Sequence, residues 1–255
     1  MCLILVAWRT HSEYPCVIAA NRDEFFERPS STVHWWQDAP DVLAGRDLSA
    51  GGTWLGITRM GRFAALTNYR GAQPHRAEAP SRGLLVGDVL KSPDTTEEGL
   101  IQLQREGRRY NGFNLMLSDG RSLGVHESMT GSGRLLAPGI YGLSNHLLDT
   151  PWPKVRRAKT RLQAALADPG DTAPMLELLR DDRPANDEEL PRTGVDLNWE
   201  RLLSSAFIRG SEYGTRCSTV IRIHRGGAVS FDEWSWDRSG DLAGHATFQF
   251  EVSMA

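Results

Sequence analysis

Residues 1–28 read MCLILVAWRTHSEYPCVIAANRDEFFER and decide the fold of the chain. Two short apolar runs, Leu3 to Trp8 and Cys16 to Ala20, flank a polar loop that contains Pro15. Each run contains Val and Ile, which favour strands, and neither run alternates with polar residues. This pattern predicts an antiparallel hairpin whose two strands are both buried.

The open end of this hairpin brings together groups that could take part in catalysis. With the loop centred near Ser12, the hairpin places Cys2 beside Arg22 and Asp23. Removal of Met1 would give Cys2 a free α-amine, which has a pKa of about 7.7–8.0 and can take the thiol proton near neutral pH. Nucleophile and base would then be one residue. The alternative is that Cys2 is a small apolar residue on a buried strand, since free cysteines are most often buried and inert.

The composition is that of an ordinary globular protein, with 40% hydrophobic residues, 24% charged residues and a net charge of -3. At 255 residues the chain can bury a large core, and we predict a single domain over residues 1–255. The lack of a basic excess argues against nucleic acid as a partner. No apolar run approaches the about 18 residues of a membrane span, and no basic segment precedes the apolar N-terminus. The sequence therefore predicts a cytoplasmic protein without a transmembrane segment.

The three cysteines, Cys2, Cys16 and Cys217, form no C-x-x-C pair, so we predict neither a metal site nor a disulfide framework. In the predicted hairpin, Cys16 lies roughly 20 Å from the partner of Cys2, at about 3.3 Å per strand residue. A disulfide needs Cα atoms within about 7 Å of each other. We therefore expect Cys2 to be a free thiol.

Later segments alternate between strand and helix patterns. A second hairpin is predicted from Thr53–Thr58 and Phe63–Asn68, whereas the stretch with Trp35 and Trp36 is predicted as a loop and Gly45 to Asp47 as a turn. Helical spacing is found at Gly83–Leu90, Thr95–Arg108, Trp152–Ala167, Pro174–Arg180 and Trp199–Phe207. Further strand patterns are found at Phe113–Leu117, Leu123–Glu127, Ile140–Leu143, Thr215–His224, Ala228–Trp236 and Ala246–Val252. Hairpins with separate helical blocks indicate the α+β class, with helical layers on antiparallel sheet.

Two charged segments of the second half are predicted to face solvent. In the helix Trp152–Ala167, the residues Lys154, Arg157 and Arg161 form a basic stripe opposite the apolar positions. We interpret this stripe as a solvated face rather than a phosphate-binding patch. The segment Asp181–Arg192, rich in charge and with two prolines, is predicted to be an exposed excursion.

Several predicted strands end in polar residues that acyl transfer needs: Cys2, Asn21 to Glu24, Asn68, Asn145 and Arg216. Each alone is a common kind of turn residue, but together they predict one pocket. A thiolate that attacks a carbonyl needs donors where the oxyanion forms, and an Asn side chain supplies an N–H. A neighbouring Arg would lower the pKa values of the amine and the thiol, and an Asp could orient the α-ammonium.

Seven motifs, in order along almost the whole chain, resemble the NRDE family, which is the family of transport and Golgi organisation protein 2. The motifs are Asn-Arg-Asp-Glu at 21–24 followed by Phe-Phe-Glu-Arg-Pro, Ala-Gly-Gly-Thr-Trp-Leu-Gly at 50–56, Leu-Thr-Asn-Tyr-Arg at 66–70, Asn-Gly-Phe-Asn-Leu at 111–115, Gly-Leu-Ser-Asn-His at 142–146, Thr-Pro-Trp-Pro-Lys-Val at 150–155 and Tyr-Gly-Thr-Arg-Cys-Ser-Thr-Val at 213–220. That family is similar to N-terminal nucleophile hydrolases of the bile-salt hydrolase, penicillin V acylase and acid ceramidase type. The resemblance implies an αββα four-layer sandwich of two antiparallel sheets, with the N-terminal Cys between them.

The resemblance also implies roles for individual residues. By position Cys2 matches the nucleophile, and Asn145 resembles the Asn that binds the oxyanion. Arg216 resembles the late Arg that closes the site, and Asn68 resembles an earlier polar residue of its wall. The candidate substrate-binding residues are Trp54, Tyr69 and His146, which lie within these motifs, and Trp36.

The early acidic and basic residues depart from the pattern of those hydrolases. The hydrolases separate the early Arg from its Asp, whereas Arg22 and Asp23 are adjacent here. Adjacent residues on a strand point to opposite faces. Either only one of the two faces Cys2, or the strand is bulged at this point.

Two functions follow. The first is an N-terminal cysteine hydrolase that acts on an acyl amide or thioester and requires no cofactor. The second is a non-catalytic carrier of a small amphipathic ligand, either haem or acyl-CoA, with which eukaryotic members of the family are associated. The chain has no C-x-x-C-H motif, and a lone His is more often a surface or core residue than a haem ligand. A protein–protein module fits less well, because polar groups that converge at strand ends suit a small-molecule pocket.

Overall fold

A computed structural model describes the backbone of residues 2–252 and the side chains of residues 3–252. Within that range two antiparallel sheets form the centre of the molecule. The first sheet has the spatial order β10 (Gly139–Leu143), β1 (Cys2–Trp8), β2 (Cys16–Phe25), β11 (Tyr213–Ile223), β12 (Ala228–Trp236) and β13 (Leu242–Glu251). The second sheet follows the chain order β3 (Ser30–Trp35), β4 (Val42–Asp47), β5 (Leu55–Thr58), β6 (Phe63–Asn68), β7 (Phe113–Ser118), β8 (Leu123–Glu127) and β9 (Ser132–Leu135).

Helices cover the outer face of each sheet. The second sheet carries α1 (Gly83–Lys91) and α2 (Thr96–Glu106), and the first carries α3 (Pro153–Ala165) and α4 (Ala173–Leu179). A fifth helix, α5 (Leu197–Leu202), precedes β11. One apolar core lies between the two sheets. Each sheet also packs against its own helices through one further apolar core. The predicted αββα sandwich of the α+β class is therefore confirmed.

The position of the N-terminal hairpin in the fold explains why its two sequence runs are apolar throughout. Residues at even positions of β1, such as Ile4 and Val6, pack in the core between the sheets. Residues at odd positions, such as Leu3 and Leu5, pack against the helices. Because both faces of β1 are covered, the strand needs no polar residue and reads as a continuous apolar run.

The prediction was wrong for the two strands that follow this hairpin, since β3 and β4 replace the expected loop and turn. Their pairing shifts register between Ser31 and His34, so β3 lacks a regular alternation. Gly45, which suggested a turn, lies inside β4. A Cβ atom on Gly45 would stand 2.4 Å from the Trp54 ring, so the glycine allows this ring to lie against the strand.

The second half contains further corrections. The last predicted helix, Trp199–Phe207, begins earlier and ends at Leu202, because Asp196 caps it and Leu203 starts a turn. The basic stripe is not wholly solvated: Lys154 is 2% exposed, and its Nζ donates to the Leu203 carbonyl at 2.9 Å. A short edge strand, β9, was also not predicted.

Candidate active site

Cys2 begins β1, and the residues beside its backbone belong to the candidate site. On one side the register pairs Cys2 with Arg22, as the sequence predicted. On the other side β1 pairs with β10 as far as Ile4 with Leu143, and Asn145 lies in the bend two residues after β10 ends. The N-terminal position therefore lies beside Arg22, at the end of the sheet from which Asn145 follows β10. The predicted removal of Met1 and the role of the Cys2 thiol lie outside what the structure describes.

Arg22 and Asp23 point to opposite faces of the first sheet. Arg22 lies between the sheets, whereas Asp23 accepts a hydrogen bond from the Thr215 hydroxyl at 2.7 Å near the helical layer. Burial raises the pKa of the Asp23 carboxyl. The bulge is in β11 and not in β2, because Thr215 pairs with Asp23 while Cys217 pairs with Arg22, which leaves Arg216 as the extra residue. Of the two adjacent residues, Arg22 therefore occupies the face between the sheets.

The Arg22 side chain is buried between the sheets. Its guanidinium carbon lies 4.2 Å from the centroid of the Trp54 ring, a cation–π contact, and its Nη1 donates to the Ser30 hydroxyl at 3.2 Å. A cavity of about 10 Å³, enough for about one water molecule, adjoins both Arg22 and Trp54. A fixed positive charge at this place favours a thiolate and an uncharged amine in its vicinity.

Asn145 is fully buried and joins the two sheets. Its Nδ2 donates to the Asn68 carbonyl at 2.9 Å, and its own carbonyl accepts from the Arg70 N–H at 2.7 Å. An amide nitrogen has two N–H groups, so Asn145 retains a second donor. Asn68 contributes to this arrangement through its backbone carbonyl.

Arg216 holds the turn that follows β2. Its Nη1 donates to the carbonyls of Phe25, Phe26 and Arg28, at 2.9 to 3.2 Å. Burial and the nearby positive charge of Arg22 lower the pKa of the Arg216 guanidinium. These contacts tie one wall of the site to the bulge in β11.

Asn21 is a structural residue rather than a member of the site. Its Nδ2 donates to the carbonyls of Leu179 and Ala206 at 2.7 and 2.8 Å, and its Oδ1 accepts from the Ser218 hydroxyl at 2.6 Å. These bonds attach the end of α4 and the segment before β11 to the first sheet. Asn21 therefore fixes the outer helical layer behind the site.

We expect Asn21→Ala to lower the free energy of unfolding by about 3 kcal/mol, because it leaves two buried carbonyls without their side-chain donor and the Ser218 hydroxyl without its acceptor. Urea unfolding would measure this loss. Asn186→Ala is the matched control, since Asn186 is exposed and its one side-chain hydrogen bond, to Glu189, is 3.4 Å long. Equal stability of the two variants would contradict the role given to Asn21.

Glu233 is a buried acidic residue that the sequence analysis missed. Glu233 lies on β12, and its Oε1 accepts a hydrogen bond from the Val33 N–H of the second sheet at 2.8 Å. The same carboxylate also forms hydrogen bonds with Cys217 and Thr219. Burial raises the pKa of the Glu233 carboxyl, and the positive charge of Arg22 acts in the opposite direction. The signal was present in β12, where Glu233 follows Val229 and Phe231 at a spacing of two and so takes a core-facing position.

We expect Glu233→Gln to alter how stability depends on pH. With the pKa of Glu233 raised above 4.5, the folded wild type holds this proton more tightly than the unfolded chain does. That contribution to stability is present below about pH 4.5 and is lost as the pH rises through the raised pKa. Since Gln cannot titrate, the free energy of unfolding of the variant minus that of wild type should increase with pH above about 4.5. Urea unfolding across the pH range would measure it, and a flat difference would contradict the prediction.

The four predicted substrate-binding residues lie in three separate places. Tyr69 and His146 have ring centroids 5.1 Å apart, and Trp152 continues this half-exposed cluster at 5.8 Å from His146. Trp54 lies on Arg22, as described above. The structure does not bring Trp36 to this site: its ring is 3% exposed in the core under α1, and its Nε1 donates to the Ala44 carbonyl.

Two broader predictions can be compared with the described residues. Among residues 3–252, no three His, Cys, Asp or Glu side chains are grouped so that they could hold a metal ion. None of the helices within residues 2–252 has the length and apolar character that a membrane span requires.

The chain is similar to named proteins over most of its length. A sequence model of the family described as Transport and Golgi organisation 2 matches residues 1–238. The Transport and Golgi organization 2 homolog of Mus musculus is 34% identical, over 92% of this chain and 93% of the relative. The Homo sapiens homolog is 33% identical, over 100% of this chain and 99% of the relative.

A solved structure shares the fold. Penicillin V acylase from Agrobacterium tumefaciens superimposes with a TM-score of 0.52, over 99% of this chain and 87% of that chain. The identity of the two sequences is 14%, so this likeness concerns the fold alone. The αββα sandwich implied by the family resemblance is thus found in a solved acylase.

Proposed function

Since the chain belongs to the Transport and Golgi organisation 2 family and has the fold of a penicillin V acylase, we propose that it is an N-terminal cysteine hydrolase of acyl amides or thioesters. The observation that supports this most is the strand register, which pairs Cys2 with Arg22 at the end of the first sheet where β10 leads into Asn145. A passive container would not need an Arg and an amide donor at the end of the sheet where its first Cys begins β1. The proposal requires that Cys2 carry the free α-amine, so Met1 has to be removed.

The proposed reaction has two stages. The α-amine of Cys2 takes the thiol proton, and the thiolate attacks the acyl carbonyl to form a tetrahedral intermediate. The oxyanion of this intermediate accepts a hydrogen bond from the second side-chain N–H of Asn145. The bond to the leaving group then breaks, and the α-ammonium returns the proton to the departing amine or thiol. Water attacks the resulting thioester with the α-amine as base, which releases a carboxylic acid and restores the thiol. Arg22 favours the thiolate and the uncharged amine.

Intact-mass measurement tests the proposal in two steps. The purified protein should have lost Met1, and incubation with a short-chain acyl thioester should add one acyl group, mapped to Cys2 by peptide sequencing. If Met1 is retained, the nitrogen of Cys2 is part of an amide and cannot act as a base. Retention would contradict the mechanism, as would acylation at Cys16 or Cys217 instead.

A second candidate function, a carrier of an acyl lipid, is supported by a separate cavity. This cavity of about 830 Å³ lies at the opposite end of the sandwich from Cys2. Its apolar wall includes Trp8, Phe63 and Ile223, and Arg62 contributes a half-buried cation. A fluorescent acyl-CoA titration would test this function, with saturable binding that persists in Cys2→Ala as the expected result.

Haem fits this cavity poorly. Its described lining contains no His or Tyr that could ligate the iron. The thioether in this lining belongs to Met60, which is 66% exposed. Burial raises the pKa of Cys16 to about 12, which opposes the thiolate that would ligate iron. We therefore argue the carrier function for an acyl lipid, and a haemin titration without a Soret shift is the expected result.

A further inference from the structure

Arg70 is a buried cation close to the candidate active site. It is 7% exposed, and burial lowers the pKa of its guanidinium. Its Nε and Nη1 are buried and have no hydrogen-bond partner among the residues that the structure describes. Its Nη2 lies 3.3 Å from Glu200 Oε2, which is longer than the about 2.7–2.9 Å of a good charge-assisted hydrogen bond.

This arrangement is unusual for an Arg that serves only the fold. A buried charge normally has its hydrogen-bonding groups satisfied, because taking it out of water without partners is costly. A guanidinium presents five N–H donors in a planar fork that matches a carboxylate or a phosphate. Two nitrogens with unsatisfied N–H groups and one long ion pair therefore leave Arg70 able to bind a better anionic partner than Glu200.

The position of Arg70 connects it to the proposed chemistry. Its backbone N–H donates to the Asn145 carbonyl at 2.7 Å, and Asn68 lies two residues before it on the chain. Its guanidinium carbon lies 4.6 Å from the centroid of the Trp152 ring, in the half-exposed cluster with His146. An apolar ligand chain could rest on this cluster while its charged end reaches Arg70.

Glu200 reaches Arg70 from α5, a helix of six residues. The other oxygen of this carboxylate, Oε1, accepts from the backbone N–H and the hydroxyl of Thr193. Glu200 is thus held mainly by its own segment, and its contact with Arg70 is the weaker one. A ligand anion could replace that contact without breaking the bonds to Thr193.

We propose that Arg70 binds a carboxylate or phosphate group of the substrate, in the place that Glu200 Oε2 takes in this structure. The inference rests on the proposed function and narrows it to acyl compounds that carry a second, anionic group. Trp152 and His146 would contact the apolar part between the two groups. Arg70 would then set specificity, while Cys2 and Asn145 carry out the chemistry.

The test is a calorimetric titration with unreactive ligands of one chain length: octanoate, octyl phosphate and octanamide. Glu200→Gln removes the competing charge, so at least one of the two anions should bind it about tenfold or more tightly than wild type, while octanamide should not change. Arg70→Gln combined with Glu200→Gln should lose that gain, and the double change avoids leaving a buried carboxylate alone. Arg201→Gln is the control, since it breaks a different ion pair of α5, with Asp187, and should leave the affinities at wild-type values.

The outcomes separate this inference from the proposed function. If neither anion binds Glu200→Gln more tightly than octanamide does, or if the double variant keeps the gain, the Arg70 site is refuted, whether or not Cys2 is acylated. If the gain is found but Cys2 is never acylated, the anion site stands and the hydrolase fails. If the double variant does not fold, the comparison of wild type with Glu200→Gln still tests the Arg70 site. That comparison needs only the ratio of the anion affinity to the octanamide affinity in each protein.

Discussion

Cys2→Ala is expected to abolish acyl transfer, with a loss of at least about 10³-fold in turnover, because the variant lacks the nucleophile. Stability should change little, since the backbone pairing of residue 2 with Arg22 does not depend on the side chain. Turnover of an acyl thioester and urea unfolding would measure the two effects. The same variant should show no acyl adduct in the intact-mass experiment.

Cys16→Ala is the matched control for a general effect of thiol loss. Cys16 is 4% exposed at the far end of β2, and burial raises its pKa to about 12, so it should not react with acyl donors. We expect this variant to keep wild-type turnover. Full turnover in Cys2→Ala would rule out the mechanism, whatever the control shows.

Asn145→Ala is expected to lower turnover by about 10² to 10³, the usual cost of removing one oxyanion donor. It should also reduce stability, because the bond from Asn145 Nδ2 to the Asn68 carbonyl is lost inside the protein. Asn145→Asp keeps the shape but has no N–H to donate, so its turnover should fall to a similar extent. Steady-state kinetics at saturating substrate would measure both variants.

A stability effect can be separated from a chemical one with Asn114→Ala. Asn114 is also fully buried, and its Nδ2 donates to the His146 carbonyl and the Thr67 hydroxyl, but it belongs to β7 of the second sheet. We expect it to lose stability while turnover per folded molecule stays within about threefold of wild type. If Asn114→Ala and Asn145→Ala lose turnover equally, the oxyanion role of Asn145 is wrong.

The parts of the fold that rest on local pattern could be predicted from the sequence. The N-terminal hairpin and its register, with Cys2 opposite Arg22, follow from two apolar runs and one loop. The strands β3 and β4 could not be predicted in the same way, because their features depend on contacts made elsewhere. Gly45 looks like a turn residue until the Trp54 ring, which occupies the space of its absent side chain, is known.

The candidate site was predictable to a similar extent. Motif positions indicated Arg22, Asn145 and Arg216, but strand alternation alone left open which of Arg22 and Asp23 lies between the sheets. The answer came from the packing of β2, which alternates without a bulge and carries Arg22 on the same face as Ile18 and Ala20 in the core between the sheets. Glu233 and Arg70 were missed because a charged residue in a sequence is first taken for a surface residue, and only packing from distant segments buries these two.

The place of β1 inside its sheet has a consequence for the biosynthesis of the protein. β1 has neighbours on both sides, and one of them, β10, is translated more than 130 residues later. An exopeptidase requires a loose, extended terminus, so the removal of Met1 that the proposed mechanism requires would take place on the nascent chain, before β10 emerges from the ribosome. An affinity tag placed ahead of Cys2 would block maturation, and recombinant protein should therefore be tagged at its other end.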